Sequence, residues 1–306
     1  MKPGRTGPFA YSPIVGRPKL EWPGGKRLAF WVIPNIETFA LNEKMPEGGA
    51  NIPNVFSWAK REYGNRVGVF RLMRVLSRYN IPATVALNSE VCDAAPAIIE
   101  EGMKLGWEFM GHGESNTRRL SDATSVDEER ALIERTLSRI ETATGLRPRG
   151  WLGPGLQETW NTLDLLAEAG LDYVCDWTID DQPFVMETAP RRMVSVPYGH
   201  DMGDKTAAQL FYPPEDFTRM MIDTFNVLYR ESADSGRVMP LSLHPYITGV
   251  PHRIDSLDKG LEYICRHDEV WFATDRRFGE EPSPVLSIAS QGRSAWLRPP
   301  ARRGRQ

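Results

Sequence analysis

The chain has 306 residues, 41% of them hydrophobic, and a net charge of −3. That composition allows one large α/β domain or two small ones with an ample core, and the near-neutral balance removes any electrostatic case for nucleic acid or an anionic membrane as partner. No stretch approaches the ~18 apolar residues of a bilayer span, and Met1-Lys2-Pro3-Gly4-Arg5 leads into no secretory core. The expectation is a cytoplasmic protein acting on a small-molecule substrate.

Residues 1–27, rich in proline and glycine, read as an arm laid over the domain. The apolar run at 28–34 opens the first strand, and further strands are expected at 83–87, 107–110, 150–152, 171–176, 193–198, 239–243 and 270–273. Val69, Leu72, Met73 and Leu76 recur at helical spacing and predict a helix over 66–79. Ser125-Val126-Asp127-Glu128 is a capping box, in which serine and glutamate each bond the other's backbone N–H, so a helix should start there and run to Thr144, where Gly145 stops it. Helices at 158–169, 214–231 and 256–266 complete the alternation. Strand and helix units of this length predict parallel strands with right-handed crossovers.

Two regions break the pattern. Residues 38–65 form a long polar insertion directly after the first strand, and Phe56, Trp58 and Tyr63 mark it as ordered, a lid over the catalytic face. Residues 291–306 carry five arginines and read as a disordered basic tail, leaving 28–290 as one catalytic domain. Cys92, Cys175 and Cys265 are widely spaced in apolar or helical contexts and read as reduced thiols.

The polar candidates lie at the carboxyl ends of predicted strands, where alternating strand and helix folds place their chemistry. They are Asn35 with Glu37, His112 with Asn116, Arg149 with Trp151, Asp176 with Asp180 and Asp181, and His244 before Pro245. His112 lies between Gly111 and Gly113, which would let backbone approach a ligand. Pro245 ends its strand and aims His244 outward. Asp176 is placed to hold an imidazole in one tautomer, a recurring catalytic arrangement. The glycines at 150, 153 and 155 open a loop around Trp151. His200, His252 and His267 read as surface or structural residues.

These segments resemble the five motifs of the polysaccharide deacetylase (NodB-like) superfamily over about residues 22–275. Asn35-Ile36-Glu37 falls on the aspartate pair, His112 and Asn116 on the His-x-x-x-His motif, Arg149-Gly150-Trp151 on the arginine-bearing motif, Asp176 and Asp180 to Phe184 on the fourth, and Ser242-Leu243-His244-Pro245 on the fifth. Three positions depart from the deacetylase pattern. Asn35 replaces the catalytic base, Glu37 a metal-binding aspartate and Asn116 the second metal-binding histidine. One carboxylate, one imidazole and one neutral amide suit zinc poorly, and the same losses mark the branch of metal-independent allantoinases and cyclic imide hydrolases.

The resemblance implies a distorted (β/α) barrel of about seven strands and a hydrolase of non-peptide amide C–N bonds, linear or cyclic, that forms a homo-oligomer and needs no cofactor. In this reading Glu37 takes a proton from water, His112 helps hold the oxyanion, and His244, oriented by Asp176, protonates the leaving nitrogen. Asn35, Asn116, Arg149, Trp151, Asp180, Asp181 and Arg253 are the expected substrate contacts. Two alternatives stand beside it. A metal-dependent N-deacetylase of an acetylated sugar would hold zinc on Glu37, His112 and Asn116, and a catalytically silent homologue would keep the pocket and bind ligand without turnover.

Overall fold

The computed structural model describes residues 6–46, 51–199, 201–210 and 212–274. The basic tail and His200 lie outside them. Strand β1 (Leu28–Ile36) is buried along its whole length, as a strand paired on both edges must be, and its continuous apolar run is what the sequence shows. The other strands are β2 (Thr84–Leu87), β3 (Glu108–Gly111), β4 (Gly150–Trp151), β5 (Tyr173–Val174), β6 (Phe184–Met186), β7 (Met193–Ser195), β8 (Arg237–Leu243) and β9 (Val270–Ala273). They form one strongly curled sheet in the order β6-β7-β5-β4-β3-β2-β1-β8, with β9 paired to the first half of β1. All pairings are parallel except β6 with β7.

The expected distorted (β/α) barrel is present, its curled sheet open on one side as a half-barrel with nine strands among the described residues. The three-residue strand β6 was not anticipated because so short a segment carries no periodic signal. The reason for the opening lies in β8, whose free edge meets loops instead of a strand: Val238 N–H donates to Asp181 O, and Gly203 bridges Ser242. Pro240, two residues after Val238, directs its missing N–H to that same edge, where proline is tolerated.

The helices are α1 (Val55–Tyr63), α2 (Val69–Arg78), α3 (Val91–Ala94), α4 (Pro96–Lys104), α5 (Val126–Thr144), α6 (Thr162–Glu168), α7 (Asp204–Gln209), α8 (Pro214–Glu231) and α9 (Ile254–Ile264). Helix α5 starts on the capping box at Ser125 and Glu128 and ends on left-handed Gly145, as its sequence requires. The structure adds α1, α3, α4 and α7 to the expected set, and a wide helical turn at Gly64–Gly68 joins α1 to α2.

Side-chain alternation on the strands divides the core in two. Leu28, Phe30 and Val32 of β1 face the outer helices together with Met239 and Leu241 of β8. Ala29, Trp31 and Ile33 face the interior of the curl with Met110, Leu152, Val194 and Val238. Leu20 and Trp22 of the N-terminal arm join this inner cluster, and the Trp22 indole N–H donates to Arg237 O at 3.0 Å. The arm thus packs against the inner core near the start of β8.

Candidate active site

The inner series continues past the apolar core into polar residues at the carboxyl ends of the strands. On β1 it runs Ala29, Trp31, Ile33, Asn35 and then Glu37; on β3 it runs from Met110 to His112; on β8 from Val238 to Ser242 and His244. All five polar residues, with Asn116, line one cavity of about 180 Å³. A period of two, prolonged beyond each strand, is what brings them together.

Glu37 is the centre of the cluster. His112 Nε2 lies 3.6 Å and His244 Nε2 3.9 Å from the same carboxylate oxygen, Oε1, and the Asn116 amide N–H donates to that oxygen. Burial opposes ionisation of Glu37, yet the two imidazoles beside it in their protonated forms, His112 and His244, and the Lys205 cation lower its carboxyl to about 2. A chain of amides fixes the direction of the Asn116 contact. Thr38 N–H donates to Asn88 Oδ1 at 2.9 Å, so the Asn88 amide nitrogen must face Asn116 Oδ1, at 3.1 Å, and the Asn116 nitrogen must face Glu37. Asn35 is held apart from this chain, donating to Ile33 O at 3.2 Å and accepting from the Tyr198 hydroxyl at 3.1 Å.

His244 is oriented by Asp204 and not by Asp176. Its Nδ1–H meets Asp204 Oδ1 at 2.8 Å, while Asp204 Oδ2 accepts from His244 N–H at 2.6 Å and from Thr248 at 2.7 Å. Burial works against the His244 cation, but the adjacent Asp204 carboxylate and, more weakly, Glu37 outweigh it, so His244 keeps its proton above the ordinary imidazole range. His112 donates Nδ1–H to Leu152 O at 2.6 Å, which leaves Nε2 directed at Glu37. Its neighbouring glycines have other work than admitting a ligand: a Cβ on Gly111 would lie 2.7 Å from the Trp151 ring, and Gly113 has φ of +66°.

Several expected contacts lie elsewhere. Arg149 precedes β4 and so sits at the opposite end of the sheet, paired with Asp172 at 2.6 Å. Trp151 points outward and is fully buried with Ile133, Leu137 and Leu163, a core residue and no substrate platform. Asp180 forms a salt bridge with Arg17 of the arm at 2.6 Å, and with Asp181 it lines a separate cleft of about 860 Å³ that adjoins the small cavity across Tyr198. Burial and the Asp180 charge push the Asp181 carboxyl up. Arg253 stands at the N-terminus of α9, outside the cavity lining. Asp176 accepts from Gly153 N–H at 2.7 Å and faces Glu158.

The described residues of the insertion form no lid over the cavity. Phe56 is 85% exposed, the Trp58 indole donates to Phe39 O at 2.9 Å, Tyr63 accepts from Arg71 at 3.0 Å, and none of the three lines the cavity. The insertion follows Glu37, as expected, and Asn65 returns to donate to Glu37 O at 2.8 Å, so its contribution is to hold the backbone that carries the carboxylate. Residues absent from the sequence reading are Asp204, Lys205, Arg119 and Tyr198. Asp204 and Lys205 belong to a six-residue helix with too few turns to show periodicity.

A family model described as polysaccharide deacetylase matches residues 62–174. The structure superposes on that of PuuE allantoinase with a TM-score of 0.76 and 25% identity, covering 86% of this chain and 94% of that one. The chain is similar to the polysaccharide deacetylase family over residues 62–174. A "probable polysaccharide deacetylase" from Pseudomonas aeruginosa PAO1 gives a TM-score of 0.77 at 26% identity, covering 86% of this chain and 95% of that one. The peptidoglycan deacetylase of Helicobacter pylori is 20% identical over 267 residues, 76% of this chain and 89% of that protein.

The family's metal site does not fit the residues present. Among the described residues no group of three or more His, Cys, Asp or Glu is arranged to hold a metal ion. At the expected ligand position Asn116 turns its nitrogen, which has no lone pair to give, toward the site, and its oxygen is taken by Asn88. The placement of Arg149 carries a prediction as well: Arg149→Ala should leave kcat/KM within about twofold, since a half-buried residue at the far end of the sheet touches nothing in the site, and steady-state kinetics on the variant check this.

Proposed function

We propose that the chain hydrolyses a small non-peptide amide, a cyclic imide or ureide before a linear one, and does so without a metal. The observation that carries this reading is the cavity of about 180 Å³, below the usual range for drug-sized sites, in which two imidazoles converge on one carboxylate oxygen. A single five- or six-membered ring suits that volume. The likeness to PuuE allantoinase supports a ring substrate.

In this mechanism water is held against Glu37 Oε1, beside the two imidazole Nε2 atoms. Glu37 orients the water, but a carboxylate stabilised by the His244 and Lys205 cations is a weak final proton acceptor. His112 is the better one. Its Nδ1–H is spent on Leu152 O, so Nε2 offers its lone pair toward Glu37 and the water. Attack of the water oxygen on the carbonyl carbon creates an oxyanion, and the cations Lys205 and Arg119 line the same cavity to oppose that charge. His244, kept protonated by Asp204, gives its Nε2 proton to the leaving nitrogen as the C–N bond breaks. Ring opening leaves a carboxylate and an amine or amide on one product.

The test is a substrate screen of protein purified without added metal. Cyclic imides, hydantoins, allantoin and acetylated sugars are assayed with and without chelator. Turnover of a ring substrate that survives chelation is expected. Activity confined to acetylated sugars, abolished by chelator and restored by zinc, would establish the metal-dependent deacetylase instead, and tight binding without any turnover would establish a silent homologue.

A further inference from the structure

The carboxyl pair formed by Asp176 and Glu158 lies outside the mechanism above, yet one peptide group connects it to His112. The Leu152 carbonyl accepts the His112 Nδ1–H at 2.6 Å. The N–H of that same peptide, carried by Gly153, donates to Asp176 Oδ1 at 2.7 Å. In a trans peptide the two groups point in opposite directions, so the imidazole and the carboxylate sit at either end of one conjugated dipole. We infer that Asp176 is a positioning residue for His112, acting through the Leu152–Gly153 peptide to fix the imidazole tautomer and strengthen Nε2 as a proton acceptor. This rests on the reading of His112 as the group that takes the proton from water.

The physical basis is polarisation along a hydrogen-bonded chain. Negative charge at the Gly153 N–H pushes electron density toward the Leu152 oxygen, which then binds the Nδ1 proton more strongly. Imidazole is thereby locked with its lone pair on Nε2. The site is built for close approach: a Cβ on Gly153 would lie 3.0 Å from Asp176 Oδ2 and 2.9 Å from Gln157 O.

Glu158 keeps the charge on Asp176. Its Oε1 accepts the Trp177 indole N–H at 3.0 Å, and its Oε2 and Asp176 Oδ2 are both buried without another partner. One proton on Glu158 satisfies both oxygens. Burial, then the neighbouring Asp176 charge, push the Glu158 carboxyl well up, with Glu129 adding to it, while burial raises Asp176 to about 6 against the Gly153 N–H, Glu158 and His112. At neutral pH Glu158 therefore carries the proton and Asp176 the charge. The other charged groups facing this chain are Glu37 at the far side of His112 and, beyond it, His244 and Lys205.

Two near-isosteric variants separate charge from structure. In Asp176→Asn the amide oxygen still accepts from Gly153 and the amide nitrogen donates to Glu158, so the charge moves one residue away from the peptide. In Glu158→Gln the amide still accepts from Trp177 and donates to Asp176, so the charge stays. The first readout is the His112 Nδ1–H proton resonance in substrate-free protein by NMR. It should move upfield in Asp176→Asn and stay in place in Glu158→Gln. The second is kcat/KM, which should fall by about tenfold or more in Asp176→Asn, the usual cost of losing an orienting partner, and by less than about threefold in Glu158→Gln.

Equal resonances in both variants would overturn the inference. So would equal losses of kcat/KM that follow their melting temperatures. If the resonance moves as stated but kcat/KM does not, the relay exists and it is the assignment of His112 as proton acceptor that fails.

Discussion

Replacing Glu37 with glutamine is expected to lower kcat by about 10²-fold or more, the scale on which positioned acid–base and electrostatic groups act. The substitution keeps the shape, and the new amide oxygen can still accept the Asn116 N–H. What is lost is the negative charge toward which both Nε2 atoms are aimed. Without it the water loses its strongest acceptor, and His244 loses one of the charges that keep it protonated. The variant also has a stability signature. Because the Glu37 carboxyl falls from an ordinary 4.5 to about 2 on folding, its ionisation stabilises the native state above the unfolded value, and that contribution is lost as pH falls from about 4.5 toward 2. The glutamine variant should therefore show a shallower loss of melting temperature across that acid window. Turnover within about threefold of the parent, at matched folding, would remove Glu37 from the reaction.

Where strands are long and buried, sequence and structure agree closely. The nine-residue run of β1 marks the strand, but it is apolar on both faces, and only the structure shows that Asn35 and Glu37 continue the inward face of Ala29, Trp31 and Ile33. The same phase on β8 delivers Ser242 and His244. At β4 the strand is two residues long, and phase and direction are lost. Arg149, Trp151 and Leu152 are near neighbours in sequence, but they lie respectively at the far end of the sheet, in the outer core and at the mouth of the site. Only Leu152, an apolar residue no chemical motif would select, reaches His112, and it does so through its backbone.

The partner of His244 was equally hidden. Asp204 and Asp176 are both aspartates that precede His244 in the chain, and what distinguishes them is tertiary. The free edge of β8 draws Gly203 alongside Ser242, and that bridge sets the next residue, Asp204, against His244. Pro240, a proline in an otherwise apolar strand, was the available sign that this edge would be open.

Asp204→Asn is the second large effect expected, a fall in kcat of about 10²-fold at neutral pH. Asp204 Oδ2 takes two donors, His244 N–H and the Thr248 hydroxyl, so the asparagine oxygen must stay there and its nitrogen must face His244 Nδ1. The imidazole then accepts at Nδ1 and carries its hydrogen on Nε2 while neutral, and neutral imidazole is a far weaker acid than the cation. The pH dependence separates this from simple damage. The Asp204 charge raises His244 above its ordinary value, so the cation, and with it the acid, is present at lower pH and is lost as pH rises through the raised value. Removing the charge lowers that value, and the alkaline limb of the kcat profile should move to lower pH. The stability that the His244–Asp204 pair contributes follows the same direction, present below the unfolded histidine range and lost as pH rises. Thr248→Val supplies the comparison, because it removes a donor to Asp204 Oδ2 and leaves the charge beside Nδ1 in place. It should lower the melting temperature without moving the limb. An Asp204→Asn enzyme whose alkaline limb stays with the parent's would show that His244 does not deliver the proton to the leaving nitrogen.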